Sequence, residues 1–145
     1  MIVRLMKEAE IAAIADIEKR MFSASWSEET IRDSWNKMPS TFLVAVDKER
    51  IIGFLIFFYV LDEGEIIRIV VEKKYQRKGV GSLLIAELEK ICREKEITRL
   101  MLEVRKSNLP AIKFYRKHGF ETDGIRKDYY GTPSEDAVLM SHEII

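Results

Sequence analysis

The forty residues from Glu65 to Val104 constrain the fold more than any other segment. They open with "EIIRIVV" (Glu65 to Val71), an apolar run with strand character. A charged, glycine-containing turn follows in "YQRKGVGSLL" (Tyr75 to Leu84). From Gly79 onward, Val80, Leu84, Leu88, Ile91 and Cys92 mark one face of a helix that ends near Lys95. "RLMLEV" (Arg99 to Val104) is again a strand. Strand, long helix and strand in that order predict a right-handed parallel crossover.

The flanking segments predict antiparallel strands and further helices. "IVRLM" reads as an edge strand, and "EAEIAAIADIEKRMF" carries a helical stripe at Ile11, Ile14, Ile17, Met21 and Phe22. Ser27 is placed to cap a helix through "SEETIRDSW". "TFLVAVD" and "IIGFLIFFYVL" form a hairpin around "DKER". "PAIKFYRKHG" is a helix opened by Pro110 and stopped by Gly119, and "FETDGIRKDYY" with "EDAVLMSHEI" closes the sheet as an antiparallel pair. The fold class is therefore α+β, a mixed sheet with flanking helices, in one domain spanning residues 1–145.

Charge and composition narrow the function classes. The 24 basic and 24 acidic side chains cancel, which argues against a dedicated nucleic-acid binder. Cys92 stands alone, so no internal disulfide is expected. No apolar run approaches the ~20 residues of a membrane span, and "MIVRLMKEAE" lacks a signal-peptide core. A cytoplasmic location with no membrane association is the expectation. His118 and His142 are far apart in sequence, and no metal-ligand cluster is expected. The only side-chain amides are Asn36, Gln76 and Asn108, a scarcity that fits a thermophilic source.

A strand that runs through a glycine turn into a helix presents free backbone N–H groups at the positive end of the helix dipole. That geometry suits an anion such as a phosphate, and Arg77 and Lys78 add charge. The turn alone is equally compatible with a solvated reversal of chain direction. "GVGSLL" lacks the third glycine of a dinucleotide fingerprint and the lysine of a triphosphate loop. Read alone, Glu103 is better taken as an ion-paired strand carboxylate and Tyr115 as a core tyrosine, while Asn108 is equally a helix cap.

The chain resembles the GNAT superfamily of N-acetyltransferases, specifically the RimI-type N-terminal protein acetyltransferases. Gln76, Gly79 and Gly81 fill the turn pattern Q/R-x-x-G-x-G/A. The later pattern is matched by Glu103, Val104, Arg105, Ser107, Asn108, Ala111, Tyr115, Gly119 and Phe120. Tyr129, Tyr130 and "FSASWSEE" also resemble this group.

The resemblance implies a mixed sheet with splayed parallel strands, about four helices, and acetyl-CoA as cosubstrate without a metal. The cofactor pyrophosphate is expected on the backbone from Arg77 through Lys78, Gly79, Val80 and Gly81 to Ser82. The pantetheine arm is expected along Ile69, Val70 and Val71, with Asn108 bonding it and the Val71 amide polarising the thioester. Glu103 is the implied base and Tyr115 the implied acid. Trp26, Tyr129 and Tyr130 are implied at the peptide entrance.

The implied substrate is the α-amine of a protein or peptide N-terminus, with ribosomal-protein association left open. "SASW" replaces the pattern's proline before tryptophan, which favours a broader set of N-termini. An acetyltransferase for small amines or lysine side chains, and a non-catalytic acyl-CoA-binding module, are the alternative readings. The presence of both Glu103 and Tyr115 argues against the last.

Overall fold

A computed structural model describes residues 1–37, 39–131 and 133–144. Seven strands form one sheet: β1 (Ile2–Leu5), β2 (Ser40–Asp47), β3 (Arg50–Val60), β4 (Glu63–Val71), β5 (Arg99–Arg105), β6 (Glu121–Gly131) and β7 (Ser134–Glu143). Four α-helices accompany them: α1 (Ile11–Met21), α2 (Glu28–Asn36), α3 (Val80–Glu94) and α4 (Leu109–Lys117). The spatial order is β1-β2-β3-β4-β5-β7-β6. β4 and β5 pair in parallel across the α3 crossover, and the other neighbours are antiparallel.

Alternation along the strands builds two apolar layers. Leu55, Phe57, Ile66, Leu100, Leu102 and Val104 face α3 and α4, where they meet Leu84, Leu88, Cys92 and Ile112. Phe42, Val44, Phe54, Ile56 and Val70 face α1 and α2, where they meet Ile11, Ile14, Ile17 and Ile31. The central strands are thus covered on both faces, which explains why "IIGFLIFFYVL" is nearly continuous in apolar residues.

The helix boundaries follow from local chemistry. Ser27 Oγ accepts from Thr30 N at 3.1 Å, and Asn108 Oδ1 accepts from Ala111 N at 3.3 Å. Pro110 sits in the first turn of α4, and Gly119 takes a left-handed φ of 93° after it.

The feature that positions the site is a parting of strands. β4 and β5 pair only from Glu63 opposite Arg99 to Glu65 opposite Met101. Beyond that point β4 stays with β3 as far as Val71, while β5 stays with β7 as far as Arg105. The register of β4 against β3 shifts here, because Phe57 faces Ile66 and Ile56 faces Arg68, leaving Ile67 extra. A bulge of this kind bends and twists the strand that carries it. The result is a V-shaped cleft whose walls are two unpaired strand edges.

Candidate active site

One wall of the cleft is backbone. Glu72 N donates to Ile52 O at 2.8 Å, so these two residues form a hydrogen-bonded antiparallel pair. The ladder alternates, which turns the N–H and C=O of Val71 and Ile69 away from β3 and towards the cleft. Gln76 Nε2 donates to the Val71 carbonyl at 3.0 Å, leaving the Val71 amide for a ligand. Val70 turns its side chain into the layer beneath α1.

At the mouth of the cleft the chain turns from β4 into α3. Arg77 (φ 63°) and Gly79 (φ 83°) both adopt left-handed conformations before α3 begins at Val80. Left-handed residues beside a helix N-terminus gather successive N–H groups into an anion-binding concavity. No heavy atom outside the adjacent chain lies within 4 Å of a Cβ built at Gly79, so the approach is open. The amides of Val80, Gly81 and Ser82 head the helix, and the Arg77 and Lys78 side chains are exposed beside them. These groups fit a pyrophosphate. Ser82 Oγ lies 2.9 Å from His118 Nε2, and burial holds that imidazole below its ordinary value.

The second wall carries the side chains. Glu103 and Met101 project from β5 opposite to the buried Leu100, Leu102 and Val104, as the alternation predicts. Arg126 Nη1 stands 3.5 Å from Glu103 Oε1. Interaction with the same carboxylate, then burial, raises the proton affinity of the Tyr129 hydroxyl. Burial, then the Glu103 charge, does the same for Tyr130, whose ring carries the Arg105 guanidinium at 4.3 Å. Tyr115 rises from α4 on the other side of the sheet and is 8% exposed. Burial pushes its phenol well up, with Tyr130 as the second influence. Glu103, Tyr129 and Tyr130 therefore gather at one place, and Tyr130 links them to Tyr115. Asn108 caps α4.

Trp26, which the resemblance implies at the peptide entrance, is anchored by α1 and β4. Its backbone N–H donates to Glu18 Oε1 at 2.9 Å, and its ring lies 4.7 Å from the Arg68 guanidinium. Arg68 also covers Phe22 and binds the fully buried Glu18 through two bonds, at 2.9 and 2.7 Å. The loop after α1 is thereby tied to β4. Sequence reasoning missed Arg68, Glu18, Arg105 and Arg126. Glu18 could have been found, because it interrupts the apolar stripe of α1 immediately after Ile17.

The separation assumed for the histidines does not survive folding. His142 packs against Phe120 and lies under Gly119, close enough for its charge to act on His118. His142 Nε2 is 3.1 Å from Glu89 Oε1. Among the described residues no group of three or more His, Cys, Asp or Glu could hold a metal ion. Cys92 is fully buried and its thiol is pushed up to about 12 by that burial, so it packs and does not react. No helix among the described residues is long and apolar enough to cross a membrane.

Comparison with known proteins places this geometry. Residues 11–120 match the model of the acetyltransferase (GNAT) family. The [ribosomal protein bS18]-alanine N-acetyltransferase of Salmonella typhimurium is 32% identical over 141 residues, covering 96% of this chain and 95% of the relative. The crystal structure of the ribosomal-protein-S18-alanine N-acetyltransferase from Escherichia coli superposes with a TM-score of 0.91 at 30% identity, covering 98% of this chain and 92% of that one. The Ard1 structure from Thermoplasma volcanium gives a TM-score of 0.91 at 28% identity, covering 99% and 97%.

Proposed function

This chain belongs to the acetyltransferase (GNAT) family, and from that premise we propose that it acetylates the α-amine of protein N-termini. It is an N-acetyltransferase that uses acetyl-CoA, which supplies the activated acetyl group as a thioester. The observation that carries the α-amine reading is the convergence of Glu103 with Tyr129 and Tyr130 beside the parted strands. Aromatic hydroxyls at that place can bond a peptide backbone, which a small amine does not offer.

The residues divide the chemistry between them. The cradle from Arg77 to Ser82 holds the pyrophosphate, and the edges of Ile69 and Val71 pair with the amide groups of the pantetheine arm as a further strand would. Asn108, at the head of α4, bonds that arm. The Val71 amide donates to the thioester oxygen as negative charge develops there. Glu103 takes a proton from the incoming ammonium, directly or through water, and so frees the nitrogen lone pair. Tyr115 donates its proton to the departing sulfur. Burial keeps that phenol protonated, so its O–H is present to bond the sulfur as negative charge develops there.

Trp26 and the Phe22–Ser27 loop frame the entrance opposite Tyr129 and Tyr130. Ribosomal proteins enter as candidate substrates because two of the relatives are named for acetylating bS18 or S18. The test is thiol release from acetyl-CoA with short peptides, each beside an N-terminally blocked copy. Turnover should vanish on blocking. Equal turnover on blocked, lysine-containing peptides would move the reading to side chains.

A further inference from the structure

We propose that His118 is a positioning residue of the cofactor cradle, holding the Ser82 side chain so that its hydroxyl proton is left for the pyrophosphate. The inference rests on the proposed placement of the pyrophosphate between Arg77 and Ser82, and goes beyond it in naming a residue from another helix. Ser82 is the third residue of α3, and His118 caps the far end of α4. The two helices touch at this point, because a Cβ built at Gly81 would come within 3.0 Å of the Phe114 ring. That ring lies 4.7 Å from the His118 ring, centroid to centroid, and Ser82 Oγ stands 2.9 Å from His118 Nε2. The end of one helix is thus bonded to the first turn of the other.

The Ser82–His118 bond has two forms. With Nε2 bare, the Ser82 hydroxyl donates to the imidazole and offers a ligand only its lone pairs. With a proton on Nε2, the imidazole donates to Oγ and the hydroxyl proton is free for an anionic oxygen. A pyrophosphate diester presents only acceptors, so it selects the second form. Protonation of both ring nitrogens enforces that form and adds a positive charge beside the cradle. The cofactor anion and the imidazolium therefore favour each other by equal amounts.

The surroundings leave His118 able to respond to that anion. Burial is the strongest influence and favours the neutral ring, as do Lys117 beside it and His142 from β7, while Glu89 from α3 favours the cation. Glu89 is itself held by His142 Nε2 at 3.1 Å and by Arg93 at 4.0 Å. Before the cofactor arrives, His118 therefore loses its proton below the ordinary value of 6.5. The bound anion raises it again. A group whose proton affinity rises on binding strengthens that binding as pH falls, from above its bound value down to its free one.

The experiment is isothermal titration calorimetry of the full chain with dephospho-coenzyme A, which keeps the pyrophosphate and lacks the titrating ribose phosphate. Wild-type affinity should rise roughly three- to tenfold as pH falls from about 8 to about 5.5. His118→Gln keeps a donor that does not titrate, so its affinity should stay within about twofold over that range. At about pH 8, His118→Leu should weaken binding roughly fivefold, and the same change in a Ser82→Ala background should cost less than about twofold. Thermal melts establish that each variant is folded. A pH dependence undiminished in His118→Gln, or a cost of His118→Leu undiminished in the Ser82→Ala background, would overturn the inference and leave the cradle reading intact. Equal affinity for pantetheine, which lacks the pyrophosphate, would overturn the cradle reading as well.

Discussion

Glu103 and Tyr115 illustrate how environment assigns a role to a residue type. A strand carboxylate with a nearby arginine is ordinary, and Arg126 does stand 3.5 Å from Glu103. Two phenols of raised proton affinity beside that carboxylate are not ordinary. In the proposed reaction they are neutral donors where an amine loses its proton. Replacing Glu103 by Gln should lower kcat/KM by roughly a hundredfold or more, with the acetyl-CoA affinity preserved. Tyr115→Phe removes only the proton that leaves with the sulfur, so it should lower kcat by roughly ten- to a hundredfold and leave peptide KM alone. Steady-state kinetics with both substrates varied would check the split. Changes of less than twofold in both variants would dissociate these residues from the chemistry.

Among the elements, β4 does the most. Its bulge at Ile67 parts it from β5, its edge offers Ile69 and Val71, and its Arg68 fastens the loop that carries Trp26. The crossover, the hairpins and the helix caps were legible in the sequence because each rests on a short-range signal: the apolar stripe of α3, Ser27 before "EET", Pro110 and Gly119 around α4. The bulge was not legible, since "EIIRIVV" alternates no differently on either side of it. The Arg68–Glu18 pair lies 50 residues apart, and only the packing of α1 on the sheet brings it together. Arg68→Ala would leave Glu18 as a buried charge without its partner, at a cost of about 3–5 kcal/mol. Thermal melts should show this as a fall of roughly 10 °C in Tm. A combined Glu18→Leu and Arg68→Met variant should recover most of that loss while altering peptide KM, because the Trp26 loop loses its tie.

At the scale of the whole molecule, two apolar layers share one sheet, and acid chemistry divides between them and the edge. The proposed catalytic residues come from β5 and α4 and the proposed peptide contacts from β6, so the proposed site depends on closure of the layer beneath α3 and α4. The motif from Glu103 to Tyr130 was readable as a family pattern, whereas the early end of β4–β5 pairing emerged only from the register of the two strands. Far from the site, the Arg4 guanidinium holds Glu10 well below the usual carboxylate range, at about 2. A depressed carboxylate stabilises the fold above its unfolded value near 4.5, and that contribution is lost as pH falls from there towards 2. In Glu10→Gln the melting temperature should therefore decline less steeply over that interval than in wild type.

The most direct measurement locates the acetyl group on a product. A peptide with a free α-amine and an internal lysine, incubated with the enzyme and acetyl-CoA, can be sequenced by tandem mass spectrometry. The expected product carries one acetyl group on the α-nitrogen, and the Glu103→Gln variant yields little of it. Acetylation of the lysine Nζ with the α-amine left free would contradict the proposed function.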